Sequence, residues 1–138
     1  ACARTVDDQH LELFRSTDHG RSWERERALT GAKEHPAHLL PLADGRILLT
    51  YGRRSDDPFF IGLGGRIGNE DGRGWGPPVV LQESGHIPGM DWPASDGGYP
   101  AGVQVDDGTI VTAYYSSCIP HRHDRYHMGV VRWAPDEV

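Results

Sequence analysis

The segment best equipped for chemistry is a long loop in the second half of the chain. Residues 82–98 are rich in glycine and proline and carry three carboxylates, among them Asp96. Trp92 and Tyr99 add two aromatic rings, whose faces can stack on the apolar C–H face of a sugar. Loops of this length in a compact fold tend to be functional or mobile. These residue types indicate a carbohydrate contact, while a solvated loop surface is the simpler explanation of the carboxylates.

Two groups of histidines are also candidates for a chemical role. His35 and His38 flank a proline at the start of a predicted strand, where either can donate a hydrogen bond to a sugar or cap a turn. His121 and His123 would face the same side of an extended strand, as a pair of metal ligands does, and His127 follows them. Because the spacing alone supplies no convincing third ligand, we predict a solvated loop, no metal site and no cofactor.

The element that organises the chain is the turn of residues 16–23, Ser-Thr-Asp-His-Gly-Arg-Ser-Trp. Asp18 can accept hydrogen bonds from backbone N–H groups within the turn, and Gly20 can adopt a positive φ. Trp23 returns a large apolar ring to the strand interface. A decayed copy occupies residues 68–75, where a glutamate stands at the position of the aspartate. We interpret both turns as devices of the fold without a catalytic role.

The strand pattern between and after these turns repeats. Residues 36–51 match residues 100–114 with a one-residue gap, and each copy reads as strand, Asp-Gly turn and strand. The Asp-Gly dipeptide predicts a hairpin, with type I′ geometry because that turn needs positive φ. The apolar runs 47–49 and 110–113 are typical of strands buried on both faces, as where the blades of a propeller stack.

These patterns predict an all-β protein built from antiparallel four-stranded blades of a β-propeller. We count about two to three blades in residues 1–138: a partial blade with the turn at 1–30, a blade at 35–80 and a blade at 97–138. Propellers close with about 4–8 blades, so this number leaves apolar blade faces open. We therefore expect either the missing blades of a longer chain or other copies as partners.

Bulk properties exclude two kinds of partner. The 138 residues carry a formal net charge of −6, with a sequence pI of about 5.7, which gives no electrostatic reason to bind nucleic acid or an anionic membrane. No apolar run approaches the ~20 residues that span a bilayer, and no signal-peptide core is present at the N-terminus. The sequence does not assign a cellular compartment. The two cysteines are expected to be free thiols.

Taken together, the two turns and the two hairpins resemble the C-terminal half of a six-bladed propeller of the sialidase superfamily, whose turn is the Asp-box of BNR repeats. The residues that carry the resemblance are 16–23, 35–54, 68–75 and 97–115. The resemblance implies a sialidase-like β-propeller and an exo-glycosidase-type hydrolase acting on, or binding, an acidic sugar such as sialic acid. The alternative that it leaves open is a non-catalytic carbohydrate-binding or protein-interaction propeller.

The resemblance also implies roles for single residues. Sialidases bind the substrate carboxylate with three arginines, since the planar guanidinium meets both oxygens; Arg54 stands in a matching place and Arg53 is its competitor. Sialidases also use a tyrosine as nucleophile, because a neutral phenol approaches the anomeric carbon with less repulsion than an anion. Tyr99 resembles that nucleophile. His35, Trp92 and Asp96 complete the predicted substrate contacts.

Two departures from the family pattern reduce the expected activity. Tyr99 is followed by Pro100, where the family usually has serine, and Tyr114-Tyr115 occupies a region where some members carry a glutamate. The activating glutamate and the acid/base aspartate of the family would lie in its N-terminal half. We therefore expect no sialidase activity from this chain alone.

Overall fold

The computed structural model describes residues 1–7, 9–54, 60–84, 96–117 and 126–137. Within these ranges the chain forms β-strands followed by one short 3-10 helix, Pro135–Glu137. The strands are β1 (Cys2–Arg4), β2 (Leu11–Arg15), β3 (Glu24–Ala28), β4 (Glu34–Pro41), β5 (Ile47–Arg54), β6 (Phe60–Gly68), β7 (Val79–Glu83), β8 (Gly97–Gln104), β9 (Ile110–Ser116) and β10 (His127–Trp133). The described residues contain no helix with the length and hydropathy that crossing a bilayer requires.

The strands form three antiparallel sheets in chain order. The first sheet has the order β1-β2-β3, the middle sheet β4-β5-β6-β7 and the third sheet β10-β9-β8. The predicted all-β, antiparallel fold class is therefore confirmed. The middle sheet has the four strands predicted for a blade, while the other two have three strands each in the described part of the chain. The chain has the architecture of a partial β-propeller.

The middle sheet is buried on both faces because its second strand is apolar at consecutive positions. Neighbouring side chains of a strand point to opposite faces. In β5, Leu49 packs toward the first sheet in a cluster with Leu11, while Leu48 packs toward the third sheet with Ile110. Both β5 leucines are at most 1% exposed. Full burial of such a side chain contributes about 2 kcal/mol, so the stacking of sheets is a main source of stability.

The two Asp-Gly hairpins differ from the predicted turn type. Gly45 and Gly108 have φ values of 88° and 85°, whereas the aspartates before them are not among the residues with positive φ. The N–H of Gly45 donates to the carbonyl of Leu42 at 3.0 Å, and the N–H of Gly108 donates to that of Val105 at 2.9 Å. The predicted type I′ geometry is therefore wrong: only glycine takes the left-handed conformation, as in three-residue hairpin loops built on a type I turn.

The turn at residues 16–23 is organised by one carboxylate. Asp18 Oδ1 accepts hydrogen bonds from the backbone N–H of Arg21 at 3.0 Å and of Ser22 at 2.9 Å, and Oδ2 accepts from the Ser22 hydroxyl at 2.6 Å. The indole N–H of Trp23 donates to the carbonyl of Gly20 at 3.1 Å. The Asp18 contacts match the role predicted from the sequence, whereas the Trp23 ring is 50% exposed rather than packed into the strand interface. The same contacts lower the pKa of Asp18 to about 2, with the Ser22 hydroxyl as the largest cause.

The second turn keeps the tryptophan contact but changes the acceptors. The indole N–H of Trp75 donates to the carbonyl of Gly72 at 2.8 Å, as its counterpart does in the first turn. Two side chains accept hydrogen bonds from the backbone of this turn. Asn69 Oδ1 accepts from the N–H of Gly74 at 2.9 Å, and Asp71 Oδ1 accepts from the N–H of Arg73 at 2.8 Å. The turn therefore keeps its shape with its acceptors shifted by one residue to either side of the glutamate.

Replacement of Asp18 by asparagine is expected to change how stability depends on acid. A carboxyl group whose pKa is lower in the folded state stabilises the fold above its unfolded pKa of about 3.9, and this contribution is lost as the pH falls toward the folded pKa. Because the folded pKa of Asp18 is about 2, the wild-type protein should lose this stability over the interval from about pH 4 to pH 2. Thermal melts followed by circular dichroism across that interval measure it.

The Asp18→Asn variant should melt lower than the wild type at neutral pH and show a shallower decline in acid. Asp106→Asn, at an exposed turn position of the third sheet, controls for the loss of one negative charge. Equal acid dependence in wild type and Asp18→Asn would contradict the proposed stabilisation by the ionised carboxylate.

Candidate functional site

Two strands of neighbouring sheets begin with the same irregularity. In β4, His35 and the proline after it lie opposite the single residue Gly52 of β5. In β8, Tyr99 and the proline after it lie opposite the single residue Tyr114 of β9. A bulge of this kind re-aims the side chains on the strand that carries the extra residue. The histidine and the tyrosine therefore occupy equivalent positions in the two copies of the repeat.

The starts of β4 and β8 approach each other closely at Gly52. A β-carbon on this residue would lie 3.0 Å from the carbonyl oxygen of His35 and 3.3 Å from the α-carbon of Gly98. Both neighbours are backbone atoms, which cannot rotate away as the end of a side chain can. Glycine at this position therefore lets the two bulged strand starts meet.

Arg54, the last residue of β5, ties these two strand starts together. Its side chain is 4% exposed. Nη1 donates to the carbonyl of His35 at 3.1 Å, and Nη2 donates to the carbonyl of Gly97. The same guanidinium opposes the rise in the pKa of the Tyr115 phenol. The planar fork of arginine suits several acceptors at fixed angles, so this side chain acts here as a buried tie between sheets.

Asp96, which directly precedes β8, is the centre of a hydrogen-bond network. Its Oδ1 accepts from the N–H of Gly97 at 2.8 Å and from the Tyr115 hydroxyl at 2.9 Å. Its Oδ2 accepts from the Tyr126 hydroxyl at 3.2 Å. Nη2 of Arg54 lies 4.0 Å from Oδ1. The carboxylate is thereby held in one orientation, while 38% of the side chain stays exposed.

The backbone of Asp96 is fixed as firmly as its side chain. Its N–H donates to the Ser117 hydroxyl at 2.8 Å, and its carbonyl accepts from the N–H of Ser117 at 2.8 Å. These contacts extend the pairing of β8 with β9 by one residue beyond the strand ends. The carboxylate therefore projects from a position that the sheet itself defines.

Three tyrosine rings follow one another over the surface beside this carboxylate. The ring centroids of Tyr99 and Tyr115 are 5.7 Å apart at an interplanar angle of 39°, and those of Tyr115 and Tyr126 are 5.7 Å apart at 54°. Such separations fall in the range that aromatic pairs favour. Tyr99 is 57% exposed and Tyr126 66% exposed. We call Asp96 and these three tyrosines the tyrosine surface.

One of these rings, that of Tyr99, is carried by a strained backbone. Tyr99 has a φ of 50°, in the left-handed region that non-glycine residues seldom adopt, and the preceding Gly98 has a φ of 116°. Such a conformation costs of order 1–3 kcal/mol and persists where the surrounding structure holds it, often at functional sites. The bulge is what holds it here, and the result is a ring that faces solvent.

The carboxylate of Asp96 also affects the acidity of its tyrosine partners. Burial raises the pKa of Tyr115, and the hydrogen bond to Asp96 raises it further, while Arg54 acts in the opposite direction. The hydrogen bond to Asp96 raises the pKa of Tyr126. Both phenols therefore remain protonated donors at neutral pH.

The structure gives different surroundings to Arg54 and to its competitor Arg53. Arg53 leaves the opposite face of β5 from Arg54, and its Nη1 lies 4.0 Å from Oε1 of Glu83. Arg54 lies beside the tyrosine surface but behind Asp96. His35 is 4% exposed, and its carbonyl, rather than its ring, is the group that contacts Arg54. The ligand roles of these three residues remain predictions.

Several predicted residues lie outside the described ranges. Trp92, His121 and His123 are among them, so their contacts are not part of this description. Within the described ranges, no group of three or more histidine, cysteine or acidic side chains is arranged to hold a metal ion. Burial raises the pKa of the Cys2 thiol, which is free.

Sequence reasoning missed Tyr115 and Tyr126 as members of the site. The sequence identifies Tyr115 only through a departure from a family pattern, and it assigns no role to Tyr126. The signal that was present is alternation along β9: Tyr114 packs its ring 6.3 Å from that of Phe60, so its neighbour must point to the opposite face, where Tyr99 lies. The sequence repeat also aligns β9 with β5.

Comparison with solved structures shows the same fold in larger proteins. A protein of unknown function from Dyadobacter fermentans DSM 18053 matches 95% of this chain at 29% sequence identity and a TM-score of 0.72. An α-L-arabinofuranosidase from Fusarium graminearum, in complex with an iminosugar inhibitor, matches 96% of the chain at 15% identity and a TM-score of 0.63. A mutant of that enzyme matches this chain with a TM-score of 0.62. The fold is that of a β-propeller fragment.

This chain spans 33% of the length of the Dyadobacter protein and 39% of the arabinofuranosidase. No protein-family model matches the chain, and no curated protein matches its sequence. At 15% identity, the likeness to the arabinofuranosidase concerns the fold alone.

Proposed function

We propose that this chain is part of a carbohydrate-active β-propeller and that it binds a sugar at the tyrosine surface. The observation that carries the proposal is the exposed aromatic surface of Tyr99 and Tyr126 around the fixed carboxylate of Asp96. Aromatic faces match the C–H faces of sugar rings, and an ionised carboxylate accepts hydrogen bonds from sugar hydroxyls. An arabinofuranosidase in complex with an iminosugar inhibitor has a similar fold, and this similarity supports a sugar as the ligand that we propose.

The strain at Tyr99 supports a binding role for its ring. A residue whose only task was to complete β8 would be expected to adopt an ordinary strand conformation. Instead its backbone takes a φ of 50°, and its ring is 57% exposed, so burial of the ring contributes little to offset that strain. A ligand that covers the ring would supply the missing contact.

Replacement of Tyr99 by asparagine is expected to weaken sugar binding about tenfold, the factor for loss of one aromatic contact of about 1.4 kcal/mol. Asparagine tolerates the left-handed conformation, so the strand start should keep its shape. Binding is measured by titration calorimetry with arabino-, galacto- and sialyl-oligosaccharides. Tyr99→Phe should bind nearly as well as the wild type if the ring face, rather than the hydroxyl, makes the contact.

Val103→Thr is the matched control, since this residue is 54% exposed on the same strand and lies away from the tyrosine surface. It should bind as the wild type does. Unchanged affinity in Tyr99→Asn would refute a stacking role for this ring. Failure of every oligosaccharide to bind would favour a protein-interaction propeller instead.

A second candidate is the finer one, a sialidase-like protein acting on an acidic sugar with Tyr99 as nucleophile and Arg54 as carboxylate ligand. The nearness of Arg54 to the start of β8 favours it, since Nη2 is 3.2 Å from where a β-carbon on Gly98 would lie. Turnover of a fluorogenic sialoside that is lost in Tyr99→Phe would support this candidate over simple binding.

A further inference from the structure

We propose that the tyrosine surface selects a neutral sugar over a sugar that carries a carboxylate. This inference rests on the proposed sugar-binding function and names the class of sugar. It is the opposite of the acidic sugar expected from the sequence. The reason is that an incoming ligand meets the exposed charge of Asp96 before the buried charge of Arg54.

Of the two charged side chains described at this surface, Asp96 and Arg54, the one that faces solvent is negative. The side chain of Asp96 is 38% exposed, whereas that of Arg54, 4.0 Å away from it, is only 4% exposed. A sugar that stacks on Tyr99 and Tyr115 reaches the carboxylate that Tyr115 contacts, and the guanidinium lies behind it. A carboxylate on that sugar would therefore meet a like charge first.

The guanidinium cannot turn outward without loss elsewhere. Arg54 donates to the backbone carbonyls of His35 and Gly97. Its release toward a substrate would leave two buried carbonyl oxygens without this donor, and unmet buried acceptors are costly. In the structure the arginine therefore positions Asp96 and the starts of β4 and β8.

The chemistry of Asp96 fits hydroxyl groups. An ionised carboxylate only accepts hydrogen bonds, so it can bind the O–H groups of a neutral sugar but cannot bind a second ionised carboxylate. The hydrogen bond to this carboxylate raises the pKa of the Tyr126 phenol, which agrees with a negative local potential. The overall net charge of −6 adds to it.

The test compares sugars that differ in one charge. Oligosaccharides ending in galactose, glucose, mannose or arabinose are each paired with the form whose terminal primary alcohol is oxidised to a carboxylate. Affinities are measured by calorimetry at low ionic strength for the wild type and for Asp96→Asn. Asparagine keeps an acceptor oxygen for the Gly97 N–H and Tyr115 but removes the charge.

In the wild type, the neutral member should bind about fivefold tighter or more than its carboxylate partner. That ratio of affinities should fall toward one in Asp96→Asn. It should also fall in the wild type as added salt screens the repulsion. The salt measurement needs no variant, so it is valid even if Asp96→Asn fails to fold. Tighter binding of the carboxylate form, or a ratio that neither salt nor Asp96→Asn alters, overturns this inference and leaves sugar binding intact. Absence of binding to every member of the set overturns the proposed function, and this inference with it.

Discussion

Replacement of Arg54 by methionine is expected to destabilise the protein by about 3 kcal/mol, the loss found when a buried charged hydrogen-bond donor is removed from its acceptors. Methionine fills a similar length of buried space but donates nothing to the carbonyls of His35 and Gly97. The two acceptors would then lie at the junction of the middle and third sheets without this donor. Urea denaturation followed by tryptophan fluorescence measures the change.

Arg54→Lys should recover only part of this stability. Its single ammonium keeps the charge, but lysine lacks the planar fork that reaches the two carbonyls together. Arg53→Met is the matched control, because within the described residues the neighbouring arginine forms a 4.0 Å ion pair with an exposed glutamate. The control should cost less than about 1 kcal/mol, as partly exposed ion pairs do.

Stability and binding together decide what Arg54 does. If Arg54→Met is as stable as the wild type but no longer binds any sugar, the arginine contacts the ligand directly, as the family resemblance implied. If stability and binding fall together, and Arg54→Lys restores both in part, the arginine acts through the positions of Asp96 and β8.

Replacement of Gly97 by alanine is expected to destabilise the fold by about 3 kcal/mol, toward the upper end for overpacking in a core. The added β-carbon would lie 2.6 Å from Cε1 and 2.7 Å from Cγ of Phe60. Phe60 is fully buried and packs its ring against that of Tyr114, so it has little room to move. The clash must therefore displace the start of β8.

The same displacement should weaken sugar binding, because the residue before Gly97 is Asp96 and the carbonyl of Gly97 accepts from Arg54. Gly102→Ala, in the same strand, is the matched control: its β-carbon would meet Thr112 Oγ1 at 3.4 Å, an ordinary contact. Thermal melts and calorimetric titrations on both variants check the prediction. Equal stability of the two variants would show that Phe60 and its surroundings yield readily.

Much of the fold could be predicted from the sequence because it depends on interactions between residues that are close together in the chain. The Asp18 contacts arise within one turn, so the types and spacing of residues 16–23 were enough to predict them. The repeat was readable for the same reason, since each hairpin is a local unit. The turn type at Gly45 was predicted wrongly, because several hairpin loops place glycine in the left-handed conformation and the dipeptide alone does not choose among them.

The site was readable only in outline. The sequence indicated Tyr99 and Asp96 as neighbours of a sugar because Asp96 lies in a glycine- and proline-rich loop and Tyr99 directly follows that loop. It could not indicate that Tyr126 donates to Asp96 across 30 positions of sequence. It placed Arg54 ahead of Arg53 only by resemblance, since which one faces the third sheet depends on the register of β5 against its neighbours.

The sequence by itself determined the antiparallel strands, the turns between them and the equivalence of the two hairpins, because these depend on side-chain alternation and on backbone preferences within a few residues. Only the tertiary structure decided that Arg54 is buried behind Asp96 and that three tyrosines share one surface. The physical reason is that burial and charge order arise from contacts between sheets, and residues far apart in the chain acquire them only when the sheets stack.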